Sequence, residues 1–384
     1  MAEGVGVGVG VGRWDGLDTL RACAILLVVV YHLGAVQGLL PEAVGPVAEV
    51  GWIGVDLFFV LSGFLIGSQL LRPYVGEGVP SLREFYRRRA YRILPAYLVV
   101  LGLYFFVPVW REAPGPVAWW QYVSFTWNLF LRGYPDARAF SHVWSLCVEE
   151  HFYLLLPVLL VVMMRRPRVW KAVALLVGIV VGGMWLRWWL LERVVMAAGE
   201  EERGVMFMRY IYYPTYARLD GLVVGVGLAV VRSFRAGWWA RVGRYGNACC
   251  AAGLVAVVGA LWLCGFGFPG AERVGSVVFA FPLLAVGFGL MVVAAVSERS
   301  VLTRRVPGAG WLAAMAYSLY LTHKSVAHAL HGMLPGITAR ADWRAAGIYA
   351  VGCLGVAAVI FYGVERPFLW VRDRRVVSGG RDGS

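Results

Sequence analysis

Charge is what this sequence has least of. Asp, Glu, Lys and Arg make up 15% of its 384 residues, 60% are apolar, and mean hydropathy is +0.67. A soluble chain keeps about a quarter of its residues charged to cover its surface, so a soluble two-domain protein is excluded, and so is a disordered chain. Lysine is nearly missing: among 36 basic residues only Lys171 and Lys324 are lysine. Cysteine is sparse and unpatterned. Cys23, Cys147, Cys249, Cys250, Cys264 and Cys353 fall mostly within apolar runs and lack paired metal-ligand spacing, which excludes a secreted disulfide scaffold and leaves no metal site to expect. No convincing internal repeat and no cleavable signal peptide are evident.

What is present is apolar sequence in long runs, such as Ala22–Val30, Val158–Met164 and Val277–Val296. Windows of about 18 residues or more give ten candidate spans, near 20–40, 51–71, 93–110, 143–164, 172–191, 210–231, 247–266, 274–296, 310–330 and 345–364. With the N-terminus inside, 24 basic residues fall in cytoplasmic segments and nine in outer ones; Arg187, Arg218 and Lys324 fall within spans. The positive-inside rule then places both termini in the cytoplasm. The net charge of +13 is thus a topological signal, and nucleic acid is not an expected partner. The expected fold is an all-α polytopic bundle of about ten transmembrane helices. A Gly-Val tail over 1–12 reads as flexible, 13–370 as the transmembrane domain, and 371–384 as a basic cytoplasmic tail. The long outer loop 111–141, with Trp119, Trp120 and Trp127, reads as interfacial.

Ionisable residues inside spans are costly and point to function. Arg21 and His32 are eleven residues apart; at 100° per residue they return to within about 20° of one face, separated by about 16 Å along the axis. Arg21 then lies at the cytoplasmic mouth and His32 near or beyond the midplane. Asp56 and the pair Ser62-Gly63 lie in the second span, where the small residues allow close helix packing. Arg88 and Arg92 share a helix face, with Arg89 beside them; their guanidinium forks suit ligand phosphates or lipid headgroups. Glu149 and Glu150 enter from outside in the fourth span, and at least one must face the bundle interior. Arg218 and Asp220 offer each other opposite charges. His323 lies mid-membrane in the ninth span within reach of Tyr320, while His328 and His331 lie nearer the outer edge. Two mid-membrane histidines with a carboxylate make either a proton relay or an acid/base site for group transfer.

The motifs together resemble the acyltransferase-3 family of bacterial integral-membrane O-acyltransferases. The most specific is Arg21, ten intervening residues and His32, within Leu17-Asp18-Thr19-Leu20-Arg21-Ala22, where Thr19 replaces the family's usual Gly. Asp56 to Phe64, Arg88-Arg89-Ala90-Tyr91-Arg92, Trp144 to Tyr153 (with His151 where Gln is common), Arg218-Leu219-Asp220, Ser318 to His323 and Glu365-Arg366-Pro367-Phe368 follow in order. The resemblance implies transfer of an acyl group, usually acetyl from acetyl-CoA, to a hydroxyl of a carbohydrate, and many members modify cell-envelope glycans. It implies a coenzyme A contact at Arg88, Arg89 and Arg92; some members append a hydrolase-like domain, and with 20 residues after the tenth span this chain is expected to be the stand-alone form.

Acetyl-CoA or another acyl-CoA is therefore expected to dock its phosphates on Arg88, Arg89 and Arg92, with the pantetheine arm running between Arg21 and His32. His32 is the expected general base or transient acyl carrier, and Glu150 or His323 the group that orients it or moves its proton. Arg21 pairs either with donor phosphate or with Asp18. Two alternatives stand beside this: O-acylation of a lipophilic acceptor such as a macrolide or glycolipid, and a proton-coupled transporter or flippase.

Overall fold

The computed structural model describes residues 14–76, 78–113, 118–131 and 138–379. The Gly-Val segment, and with it Arg13, Arg132 and Arg381, lies outside the described residues. Among the described residues there is no β-strand. The long helices are α1 (Asp15–Val36), α2 (Ile53–Val75), α3 (Leu82–Phe106), α4 (Ser141–Met164), α5 (Val169–Val195), α6 (Asp220–Phe234), α7 (Ala236–Gly243), α8 (Gly246–Leu263), α9 (Ser276–Ala295), α10 (Ala309–Met333) and α11 (Trp343–Arg374). Eight of these are long and apolar enough to cross a membrane, and α6 with α7, bent by 110°, makes a ninth if the pair is one span.

Helix α10 is not in that set because it carries His323, Lys324, His328 and His331, and the fold explains how it is tolerated. Every residue from Ser318 to Ala327 is buried, so this stretch is surrounded by protein on all sides and its polar groups never meet lipid. At the other extreme α5 is peripheral: none of its most apolar window is buried, leaving Val177 and Trp185 facing outward.

Two expected spans have different bounds. The third begins at Leu82, not near 93, because Ser81 caps it: its hydroxyl accepts from the Glu84 amide at 3.3 Å, the first half of a Ser-x-x-Glu capping box. The arginines from Arg87 to Arg92 therefore occupy the early turns of a membrane helix and not a preceding loop. The sixth span, expected as continuous over 210–231, is broken. Pro214 lacks the amide that a helix would need, the chain leaves helical geometry at Arg218 (φ −132°, ψ 27°), and α6 starts at Asp220. The break turns the Arg218 side chain into the core.

The outer loop packs inward more than its tryptophans suggest. Trp119 and Trp120 are exposed, as an interfacial segment requires, but Trp127 is 1% exposed and belongs to the core. Asn128 donates to the Tyr213 carbonyl at 3.2 Å and Tyr122 to that of Ala139 at 3.1 Å, pinning the loop on the bundle.

Close packing of α2 on α6 rests on glycines. A Cβ at Gly63 would meet the Leu222 carbonyl oxygen, and one at Gly225 would meet the Val60 carbonyl oxygen; these small residues let the two backbones approach. We expect Gly63→Ala to lower the thermal stability of the purified protein by about 1–3 kcal/mol. Gly102→Ala, where nothing lies within 4 Å, is expected to leave it unchanged, so equal melting temperatures for the two variants would refute the packing assignment.

Candidate active site

In α1 the α-helical ladder widens at Tyr31–Val36 into a π-helical turn, a feature that recurs at functional sites. His32 sits on it. Its Nδ1 lies 3.0 Å from the Val28 carbonyl and 3.0 Å from Nε2 of His323, whose own Nδ1 lies 3.0 Å from the Leu319 carbonyl. Carbonyl oxygens only accept, so both Nδ1 atoms carry hydrogen. In the neutral rings His323 Nε2 is then a lone pair accepting from His32 Nδ1–H, and His32 Nε2 is a lone pair with no hydrogen bond among the described residues. A base held by a second group through its far nitrogen is the arrangement of an oriented catalytic imidazole.

A third ring, His142, completes the cluster, with its centroid 6.1 Å from His32 and 5.3 Å from His323. Its Nε2 lies 3.4 Å from the Leu321 carbonyl, while Nδ1 is buried without a partner. Sequence reasoning did not select His142. The available signal was its spacing: residues 142, 145 and 149 follow i, i+3, i+7 and share one face of α4.

Two cavities approach this cluster. The first, of about 170 Å³, is lined by Arg21, Ser62, Arg89, Arg92, Glu149 and Glu150 among others, and the second, of about 330 Å³, by His32, Gln37, Glu112, His142, Trp144 and Lys324 among others. Only Val55 and Tyr320 line both. Tyr320 is the wall between them: its hydroxyl donates to the His142 carbonyl and accepts from Ser145 Oγ at 2.7 Å.

The expected site residues are therefore distributed, not gathered. His32 and His323 meet. Glu150 lies in the first cavity with Arg21 and Arg89 and does not contact His32; its neighbour Glu149 accepts from Tyr153 at 2.6 Å, and Tyr153 in turn contacts Ser62. Arg21 approaches Asp18 only at 3.9 Å. Arg89 and Arg92 line the first cavity, but Arg92 is tied to Glu365, which also accepts from Ser318 at 2.7 Å. Arg88 is outside the cavity lining, bonded to Glu84 at 2.7 Å.

Arg218 and Asp220 do not pair with each other. The broken helix separates their directions: Arg218 binds both carboxylate oxygens of Asp56 at 2.9 and 3.0 Å, and Asp220 takes the fork of Arg187 at 2.7 and 3.1 Å. Arg218 also lies over the rings of Trp144, Tyr212 and Phe281, so it backs two aromatic walls of the second cavity. Removing one partner of such a pair strands the other charge in the bundle. We expect Arg218→Leu to cost about 3–5 kcal/mol of thermal stability and Arg218→Leu with Asp56→Leu to recover most of it; equal losses in the single and double variants would show that the pair carries no such coupling.

Comparison with known proteins gives three findings. The family described as "Acyltransferase domain" matches residues 14–362. A Bacillus subtilis (strain 168) protein with the provisional name peptidoglycan O-acetyltransferase YrhL is 34% identical over 232 residues, covering 56% of this chain and 33% of that protein. O-acetyltransferase OatA of Staphylococcus aureus (strain NCTC 8325 / PS 47) is 31% identical over 231 residues, covering 56% and 34%. The chain thus spans about a third of the length of the curated relatives it matches. No solved structure matches it.

Proposed function

The chain belongs to the acyltransferase-3 family, and on that premise we propose that it transfers an acetyl group from an acyl-CoA donor to a hydroxyl of a cell-envelope glycan. Family membership removes the transporter reading. The observation that carries the proposal is the oriented His32–His323 pair beside the wall shared by two cavities. One cavity is built for an anionic donor and the other opens on the base.

The donor fits the first cavity in part. Arg21 and Arg89 supply guanidinium groups for phosphate, whereas Arg92 is engaged by Glu365. At about 170 Å³ the cavity admits the thioester arm and not the nucleotide, whose phosphates stay at the arginine-lined mouth. With the basic ends of the helices in the cytoplasm, the donor enters from that side and the acceptor from the outer side, in the bacterial inner membrane. No glycan then has to cross the bilayer.

In the transfer, Nε2 of His32 takes the proton of the acceptor hydroxyl. The hydroxyl oxygen forms a bond to the thioester carbonyl carbon, the carbon–sulfur bond breaks, and the leaving thiolate takes the proton back from His32. While His32 is cationic, its Nδ1–H remains donated to His323, which holds the ring in place. Tyr320 has to move aside for the two substrates to meet, because its hydroxyl bonds close the shared wall.

Acetylation of isolated envelope glycan by the purified protein, with a radiolabelled acetyl donor, tests the assignment. His32→Ala is expected to lower kcat by about 10²- to 10⁴-fold with expression unchanged, and His323→Phe by a smaller factor; full retained activity in His32→Ala would remove His32 from the mechanism. Arg89→Ala is expected to raise the donor KM several-fold, whereas Arg88→Ala leaves it unchanged. The reverse order would overturn the placement of the donor.

A further inference from the structure

Helix α6 is followed by a sharp change of direction. The chain leaves helical geometry at Arg235 (φ −133°, ψ 51°), and α7 turns by 110° from α6. Glycines pack α6 along the spanning helix α2, so a helix turned this far lies across the end of the bundle, close to the membrane plane. Its inner face rests on the protein through Trp239, which stacks on Phe64 at 6.1 Å and 12°. Beside it Arg232, near the end of α6, lies over Trp14 at 4.6 Å and Phe64 at 5.9 Å. Trp14 precedes α1, so α7 lies at the end of the bundle where α1 begins, which the positive-inside rule places in the cytoplasm.

The opposite face of α7 is uncovered. Trp238 is 67% and Tyr245 66% exposed, with Val242 exposed between them; positions 238, 242 and 245 follow i, i+4, i+7 and form one stripe. Arg235, Arg241 and Arg244 are exposed and have no ion pair or side-chain hydrogen bond among the described residues. No Asp or Glu occurs between Asp220 and Glu272, so the local chain holds no carboxylate to balance them. A second group of cations lies alongside. Asn247 accepts from the Val301 amide at 2.8 Å, which brings the segment with exposed Arg299, Arg304 and Arg305 beside the start of α8.

Unpaired arginines alone would suit a soluble polyanion. The exposed rings and the direction of the helix select a different partner. Trp and Tyr favour the level of lipid headgroups, where the ring is buried and its polar tip stays wet. An in-plane helix with an apolar stripe beside arginines gains twice at such a surface, from burial of the stripe and from attraction to anionic headgroups.

We propose that α7 and its flanking residues form a binding site for anionic phospholipid. Arg235, Arg241 and Arg244 take the phosphate through their guanidinium groups, while Trp238 and Tyr245 enter the headgroup layer. The site is separate from both cavities and does not depend on the acyl-transfer reading.

The test titrates the detergent-purified full chain with phosphatidylglycerol or with phosphatidylcholine of the same acyl chains, read by native mass spectrometry. Phosphatidylglycerol is expected to be retained about tenfold better or more, since each arginine near an anionic headgroup adds a factor of about five. Replacing Arg235, Arg241 and Arg244 together by Gln is expected to remove most of that preference, and Trp238→Ala to weaken retention of both lipids alike. Replacing Arg165, Arg166 and Arg168 by Gln removes the same charge from the exposed turn between α4 and α5 and is expected to keep the preference. Equal retention of the two lipids by the unaltered chain, or equal loss in the two triple variants, would overturn the site. Displacement of phosphatidylglycerol by an equal concentration of glycerol phosphate, which carries the anion without the acyl chains, would overturn it in favour of a soluble ligand.

Discussion

A charge inside a lipid-embedded bundle needs a partner, and four ion pairs meet that demand: Arg218 with Asp56, Arg187 with Asp220, Lys324 with Glu112 and Arg92 with Glu365. Each joins segments far apart in sequence. Arg187–Asp220 links α5 to α6; Arg218–Asp56 links the segment before α6 to α2; Lys324–Glu112 fastens the outer loop to α10; Arg92–Glu365 locks α3 to α11. Packing between apolar helices in lipid has little hydrophobic preference for one neighbour over another. Directional pairs supply the preference, because any other arrangement leaves a charge uncompensated.

Departures from regular helix then decide where chemistry-bearing groups point. The π-helical turn at Tyr31–Val36 carries His32, that at Met208–Tyr212 carries Tyr212, and that at Phe361–Glu365 carries Glu365. Each widened turn alters the register of the side chains beyond it. The break at Pro214 similarly frees Arg218 to reach across to Asp56. An uninterrupted helix could place none of these groups where it stands.

The two cavities divide the work by polarity. The first gathers the arginines Arg21, Arg89 and Arg92 with the carboxylates Glu149 and Glu150. The second gathers the imidazoles of His32 and His142 with the aromatic faces of Tyr31, Trp52, Trp144, Tyr212 and Tyr213. Tyr320 keeps them apart, and its hydroxyl is anchored on the same helix, α4, that contributes His142 and Ser145.

Much of this was legible in the sequence. Apolar run lengths determined an all-helical membrane bundle, because no other hydrogen-bonded structure except a closed barrel spans lipid. The phase between Arg21 and His32 predicted one shared face, whereas the two line different cavities; His323 was marked by the cost of a titratable group within a span. Periodicity speaks only within one helix, however, and three kinds of fact lay between helices. Which cation meets which carboxylate was decided by the break before α6, so Arg218 and Asp220 found other partners. Whether Trp127 faces lipid or core was decided by the fold of the loop. Which groups meet His32 was decided by the approach of α10 and α4, which bring His323 and His142 to it, while Glu150 lies in the other cavity. Local sequence determined the spans and the polar residues within them; only tertiary packing decided their partners, because a hydrogen bond or ion pair between helices depends on distances that no single helix contains.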